Sequence, residues 1–180
     1  MQRRTVLKGA AVGGVAVLGA GFWALPTGAA PAALSLEGAQ QTLAGLAGRE
    51  LVSRQGWSPS EVFNHCAQSI DFSIDGYPEL KPNWFRHSIG PLAFSVFSAR
   101  GAMRHPLHEA IPGAGPLLEP ATTAAALARL QAAFARFAAH TGELQPHFAY
   151  GALSHAEYAQ AHVLHLYNHL SLIGEANQPA

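Results

Sequence analysis

The strongest constraint on the fold is an unbroken helix-forming stretch near the end of the chain, from Ser154 to Ile173. Ser154 and Glu157 have the spacing of a capping box, in which the hydroxyl accepts a hydrogen bond from a first-turn amide and the carboxylate reaches back to the cap. No glycine or proline interrupts the residues that follow. The pattern therefore predicts a long final helix that begins at Ser154.

Histidines occupy one face of this predicted final helix. At about 100° per residue, four of them fall within roughly 80° of one another. They are His155, His162, His165 and His169. The last two are four residues apart, the spacing at which imidazoles from successive turns can reach one ion. A chain with ten histidines can contain such a pair by chance, and a histidine on a partly apolar face is more often a hydrogen-bonded core residue.

Residues 1–32 have the pattern of an export signal. Arg3 and Arg4 precede Thr-Val-Leu-Lys, residues 9–25 carry no charge, and a run of small residues ends the segment. The paired arginines resemble a twin-arginine (Tat) signal, which a translocase reads as an address and which implies export of a folded protein. We therefore expect the Tat machinery as a partner and the periplasm or cell envelope as the location. The alternative is an uncleaved membrane anchor, although five glycines dilute the apolar run.

Composition indicates one small helical domain over residues 33–180. Lys plus Arg and Asp plus Glu number 11 each, and three of the cations fall in the signal. The domain is therefore mildly acidic, with no basic face for nucleic acid. The single cysteine, Cys66, excludes an internal disulfide, multi-cysteine zinc motifs and covalent haem attachment, and its default role is that of a small buried hydrophobe.

Cap and turn residues divide the domain into helices. One helix start is indicated by three residues: Ser58 as the cap, Pro59 at the first helical position, and Glu61 as the second half of a capping box. We expect this helix to run to about Asp75 with His65 on its inward stripe. The other predicted helices are Ser35–Ala47, an apolar segment Trp84–Met103 kinked or divided at Pro91, and Ala121–His140, capped by Thr122 or Thr123 and ended by Gly142.

Arg104 to Pro120 contains four prolines and two glycines, which predicts a long crossing loop. His105 and His108 in this loop could supply a base or a ligand to a nearby site. Because Pro106 disrupts the regular spacing of a ligand pair, a solvated loop is the favoured interpretation. Arg129 and Arg136 on the next helix are interpreted as a solvated face, with an anion-binding role as the lesser alternative.

Three short motifs resemble the DinB-like (YfiT-like) metalloenzyme superfamily. They are WSPSEVFNH ending at His65, FAYGALS from Phe148, and HLYNHL from His165. More narrowly, the chain is similar to a branch of that superfamily made of domains of unknown function, over about residues 36–174. Two features depart from the pattern: the second motif is one residue longer than expected, and Asn168 stands where a histidine is usual.

The resemblance implies an all-α four-helix bundle with a long crossover between the second and third main helices and an extra short helical segment. It also implies a metal site with one histidine from the second helix and two, four apart, from the last. Carried over to this sequence, the ligands are His65, His165 and His169, with His162 in reserve. Zinc is the first choice of metal, followed by nickel or iron, since imidazole suits all three.

Three neutral imidazoles without a carboxylate leave an open position on an ion, which is typical of catalytic rather than structural zinc. We therefore expect an exported metal-dependent hydrolase or transferase acting on a small molecule, with a homodimer as a further option. The resemblance implies that a transferase would be of the thiol type. The weak acid–base candidates are His162, Tyr158 and Asp71. The alternatives are a non-catalytic metal- or ligand-binding bundle of the cell envelope and a haem-b bundle. A di-iron carboxylate site is disfavoured because no helix carries a Glu-x-x-His pair.

Overall fold

The computed structural model of the chain describes residues 34–117 and 120–176, so the predicted export signal over residues 1–32 lies outside the described residues. The described part is mostly helical, as predicted. Its helices are α1 (Leu36–Gly45), α2 (Pro59–Asp75), α3 (Asn83–Arg86), α4 (Ile89–Arg100), α5 (Thr123–Ala139) and α6 (His155–Leu170), and its strands are β1 (Leu51–Ser53) and β2 (Ile173–Glu175). Among the described residues, no helix combines the length and apolarity needed to cross a membrane.

The helices α2 and α6 begin where the capping boxes predict. The Ser58 hydroxyl accepts from the Glu61 amide, and the Glu61 carboxylate accepts from the Ser58 amide at 2.8 Å. Ser154 and Glu157 make the same reciprocal pair, again with a 2.8 Å bond to the carboxylate. Both helix starts are therefore determined by residues three apart in the sequence.

The hydrophobic core lies where α2 packs along α5, with α1 and α6 adding further contacts. Its largest fully buried apolar side chains include Phe63, Ile70, Leu130, Phe134, Phe137 and Leu166. Cys66 belongs to this core and is 2% exposed, in the small buried role expected of it. Burial raises the pKa of its thiol, because an apolar environment disfavours the thiolate.

A small antiparallel sheet, absent from the all-α prediction, joins the two ends of the domain. β1 pairs with β2 so that Leu51 lies opposite Glu175 and Ser53 opposite Ile173. The final helix therefore ends at Leu170 and does not extend to Ile173 as predicted. A strand of three residues has too little alternation to be recognised locally, so only the pairing defines it.

The apolar segment predicted to be helical, with Pro91 kinking or dividing it, forms α3 and α4, which are separated at His87 and Ser88. Ser88 has φ −137° and ψ −81°, outside the helical region, so the break precedes Pro91. Pro91 lies in the first turn of α4, where its missing N–H has no intrahelical acceptor to lose. The segment is therefore divided, but before Pro91 and not at it.

The start of α5 matches the prediction and its end does not. The Thr122 hydroxyl accepts from the Ala125 amide and caps the helix. The C-terminal cap is His140, at φ −74° and ψ 124°, so Gly142 lies two residues beyond the cap. The helix ends because His140 adopts an extended conformation, without a left-handed glycine.

Arg129 and Arg136 bond α5 to α2, instead of only facing solvent. Arg129 donates to the carbonyl and side-chain oxygens of Asn64 at 3.1 and 3.2 Å, and to Asp71 at 3.4 Å. Arg136 donates to Asp71 at 3.1 Å and to Asp75 at 2.6 and 2.7 Å, and it holds the pKa of Asp75 below the usual range. Asp71, a weak acid–base candidate in the sequence, is therefore committed to this helix–helix contact.

Residues 76–122 cross from α2 to α5 and include α3 and α4. As predicted, residues 104–117 form no helix or strand. Gly90 lets α4 approach the segment before α6: a Cβ atom at Gly90 would lie 1.9 Å from the carbonyl oxygen of Ala149. This close approach places α4 against α6 and positions one wall of the site described next.

Candidate metal centre

Three imidazoles from two helices converge on one point. His65 comes from α2, and His165 and His169 come from successive turns of α6. One ligand atom from each lies within 4.8 Å of the others, and the ring centroids are 4.7–5.0 Å apart. The Nε2 atoms of His65 and His165 are 3.2 Å apart. Two imidazoles on one tetrahedral zinc place their nitrogens about 3.4 Å apart, so this group could hold a metal ion.

Several nitrogens of the group have no protein partner. Nδ1 of His65 and both ring nitrogens of His169 are buried, without a hydrogen bond to any described residue. A buried polar group left unpaired costs about 1–3 kcal/mol. A cation between the rings would take one lone pair from each ring, including one of the two unpaired nitrogens of His169, so the donor set fits a metal.

Burial keeps the three imidazoles in the form that binds metal. It lowers the pKa of His65 to about 4 and that of His169 to about 2, because the interior disfavours a charged ring. The pKa of His165 is also well below its ordinary value, through burial and then through repulsion from His169 and His65. All three are therefore neutral near pH 7, as ligation requires.

A cavity of about 310 Å³ lies beside His65 and His165. Most of its wall is apolar, including Met103, Ile111, Phe148, Ala149, Tyr150 and Ala161. Lys81, Pro106 and Glu109 also line it and are exposed, so the cavity opens to solvent. Small-molecule sites typically measure about 300–1,000 Å³. A small molecule can therefore reach this side of the three imidazoles.

The indole of Trp57 covers another side of the group. The indole ring is nearly parallel to the His169 ring, with the ring centroids 6.1 Å apart. Its centroid lies 5.0 Å from that of the His65 ring. Trp57 directly precedes the cap of α2, so the same short segment starts the helix and shields the histidines. The indole therefore covers this side of the group, whereas the cavity lies beside His65 and His165.

The sequence matches the DUF1569 family, whose members are described as proteins of unknown function, over residues 33–176. This chain belongs to that family. No curated protein and no solved structure matches it significantly. The match confirms the predicted link to a domain of unknown function and spans all of the described elements. The resemblance to the DinB-like superfamily stays a prediction.

The crossover loop of the DUF1569 domain reaches the site, contrary to the favoured interpretation of a solvated loop. The ring of His105 lies 5.0 Å from the rings of both His165 and His169 and lines the cavity. His108 is exposed and contacts the edge of Trp57 at 6.2 Å. The irregular spacing at Pro106 bears only on a pair of neighbouring ligands, whereas His105 and His108 each contact a different part of the domain. No local spacing could have revealed this arrangement.

The two acid–base candidates on α6 differ in their access to the cavity. His162 lines it, and its Nε2 lies 3.1 Å from the hydroxyl oxygen of Ser73. Ser73 donates its own proton to the Ile70 carbonyl, so this hydroxyl accepts from His162. The Tyr158 hydroxyl donates to the Gln145 carbonyl at 2.6 Å, and Tyr158 is not among the cavity-lining residues. Burial lowers the pKa of His162 to about 3.

Two further histidines support the DUF1569 domain without joining the group of three. His155, on the predicted histidine face, stacks on Phe137 with centroids 4.4 Å apart. His147 accepts hydrogen bonds at Nδ1 from the amides of Ala149 and Tyr150, both at 3.1 Å. It thereby orders the turn that forms part of the cavity wall. The histidine face of α6 thus divides into a pair that could hold a metal, His165 and His169, and His155 and His162, which bond to other parts of the domain.

Proposed function

We propose that this DUF1569 protein binds one divalent metal ion through His65, His165 and His169 and uses it for hydrolysis or group transfer on a small molecule. The observation that carries the proposal is the convergence of these three imidazoles beside a solvent-connected cavity. A structural zinc site is normally closed by four protein ligands, whereas three ligands and an adjacent cavity suit a reactive site.

Zinc is the first candidate for the ion, followed by nickel or iron, because three imidazoles suit each of them. The chemistry such an ion supplies is Lewis acidity toward a carbonyl group or a water molecule. The chain itself contributes the neutral ligands, the apolar walls that would hold a small molecule, and the Trp57 ring that covers His65 and His169.

We also propose that α1, α2, α5 and α6 form the four-helix bundle of the DinB-like superfamily. The support is the placement of one histidine on α2 and two on α6, together with the long crossover between α2 and α5. Export by the twin-arginine route remains part of the proposal on the strength of residues 1–32. Reduced thiols are scarce outside the cytoplasm, which favours hydrolysis over thiol transfer.

A non-catalytic metal- or ligand-binding bundle is the second candidate. The nearby groups that could transfer a proton support it, because they bond within the protein. The Nε2 proton of His162 and the hydroxyl proton of Tyr158 are both donated to protein oxygens. A haem-b bundle is disfavoured, because the cavity of about 310 Å³ is at the small end for ligand sites.

The first experiment is metal analysis and zinc titration of untagged protein, with a chromophoric chelator as competitor. We expect one ion per chain, and we expect His65→Ala to weaken zinc binding by about 100-fold or more. His87→Ala is the matched control, because His87 is exposed and lies outside the group. Equal zinc affinity in the wild type and His65→Ala would overturn the proposal.

A second experiment separates the enzyme from the binding protein. Zinc-loaded wild type and His165→Ala are compared on a panel of small esters and amides. Turnover by the wild type that is lost in His165→Ala supports the hydrolase. One tightly bound ion without turnover of any panel member favours the non-catalytic alternative.

A further inference from the structure

One hydrogen bond sets the tautomer of His105 in the crossover loop. Its Nδ1 lies 2.8 Å from the carbonyl oxygen of Pro106. Because a carbonyl only accepts, Nδ1 carries the proton and Nε2 of the neutral ring presents a lone pair. The backbone of the next residue therefore holds the ring with an acceptor directed away from the loop.

No described residue donates a hydrogen bond to this nitrogen. Nε2 of His105 is buried and has no hydrogen-bond partner among the described residues. Leaving such a group unpaired costs about 1–3 kcal/mol, so a partner from outside the chain is favoured. The ring lines the same cavity as His65 and His165, where that partner would lie.

His105 stands just outside the metal-binding group. Its ring centroid is 5.0 Å from those of His165 and His169, but the set of ligand atoms within 4.8 Å of one another contains only His65, His165 and His169 among the described residues. Its position therefore suits contact with a molecule beside the ion better than contact with the ion.

We propose that His105 is a catalytic residue whose Nε2 accepts a hydrogen bond from the molecule bound in the open position beside the three imidazoles. This inference rests on the proposed metal-binding function. The contact orients an O–H or N–H group of that molecule toward the loop, so its metal-binding atom faces the ion. No proton is transferred in this role.

The cavity restricts the class of molecule. Its wall includes Met103, Ile111 and Phe148, and the non-histidine charged residues among the described lining are Lys81 and Glu109, both exposed at the mouth. A mostly apolar wall favours an apolar body for the bound molecule. The ligand is therefore a small, largely apolar molecule with one O–H or N–H donor beside its metal-binding atom.

The test uses two matched probes on zinc-loaded protein, hexanohydroxamic acid and its N-methyl analogue, which lacks the N–H donor. The measured quantity is the ratio of their dissociation constants. In the wild type we expect the N–H probe to bind more tightly. In His105→Ala we expect this preference to fall by about fivefold, the usual value of one hydrogen bond, with zinc affinity unchanged within about threefold.

Two further variants control for loss of structure. His105→Gln retains a side-chain acceptor and should keep most of the preference. His87→Ala, which replaces an exposed histidine outside the site, should leave it unchanged. A preference that is the same in His105→Ala and the wild type would overturn the inference alone. A loss of zinc affinity of about 100-fold in His105→Ala would also overturn it, by making His105 a fourth ligand. Wild type that binds no zinc would overturn the proposed function and the inference with it.

Discussion

The Nε2 atoms of His65 and His165 lie 3.2 Å apart, although 100 residues separate the two in the chain. His65 lies in the middle of α2, and His165 lies toward the end of α6. The contact between the two helices therefore defines the site, and the crossover loop and Trp57 enclose it. If the proposed metal site is correct, a perturbation that shifts one helix along the other should weaken metal binding.

Zinc should raise the thermal unfolding midpoint of the protein. A ligand that binds only the folded state at 100 times its dissociation constant adds about 2.7 kcal/mol to the free energy of unfolding. His169→Ala should abolish the shift, since it removes one of the three imidazoles, and chelation with EDTA should reverse it in the wild type. Differential scanning calorimetry measures both effects, with His87→Ala as the control. A zinc-induced shift that survives in His169→Ala would count against the site.

The metal-free protein should lose stability as the pH falls from about 6.5 to about 4. Burial lowers the pKa of His65 to about 4 and of His162 to about 3, whereas the unfolded chain titrates near 6.5. The unfolded chain therefore binds more protons in this window, so this contribution is complete above pH 6.5 or so and is lost as the pH falls toward the folded pKa values. Urea unfolding in EDTA across this range measures the free energy of unfolding.

His162 provides the matched variant for the pH experiment. His162→Gln removes one buried titrating ring and should reduce the slope by up to about 1.4 kcal/mol per pH unit. His87→Gln replaces an exposed histidine and should leave the slope as in the wild type. An identical slope in the wild type and His162→Gln would show that the ring of His162 takes up its proton in the folded state.

Arg129→Met should destabilise the protein without weakening zinc binding. Arg129 donates to Asn64 and Asp71, so its loss leaves the side-chain oxygen of Asn64 without its donor and leaves Asp71 with Arg136 alone. We expect a loss of about 1–2 kcal/mol in the free energy of unfolding. Arg136→Met should cost less, about 1 kcal/mol or under, because that side chain is 45% exposed. Chemical denaturation measures both losses, and a large drop in zinc affinity would refute a purely structural role.

Gly90→Ala should destabilise the domain by about 1–3 kcal/mol, the usual cost of overpacking. The added methyl group would lie 1.9 Å from the Ala149 carbonyl oxygen, so α4 and the cavity wall must move apart. Gly45→Ala is the control, because a Cβ atom there meets nothing within 4 Å and the helical position favours alanine by up to about 1 kcal/mol. Denaturation midpoints of the two variants should therefore move in opposite directions. A neutral Gly90→Ala would contradict the close approach.

Much of the helical framework could be predicted from short stretches of sequence. The starts of α2 and α6 follow from Ser58 with Glu61 and Ser154 with Glu157, because a capping box acts between residues three apart. The pairing of His165 with His169 follows from the helical repeat alone. Choosing His65 as their partner needed the family resemblance, since nothing in the local spacing connects α2 to α6.

The tertiary structure alone decided which distant groups meet. Three contacts join segments far apart in the chain: the β1–β2 sheet, the hydrogen bonds of Arg129 and Arg136 to α2, and the packing of His105 against α6. The sequence by itself determined where helices begin and which side chains share a face, because those depend on hydrogen bonds and side-chain directions within a few residues. It could not determine how a long proline-rich crossover packs, since that path depends on the surfaces it covers and carries no periodic signal of its own.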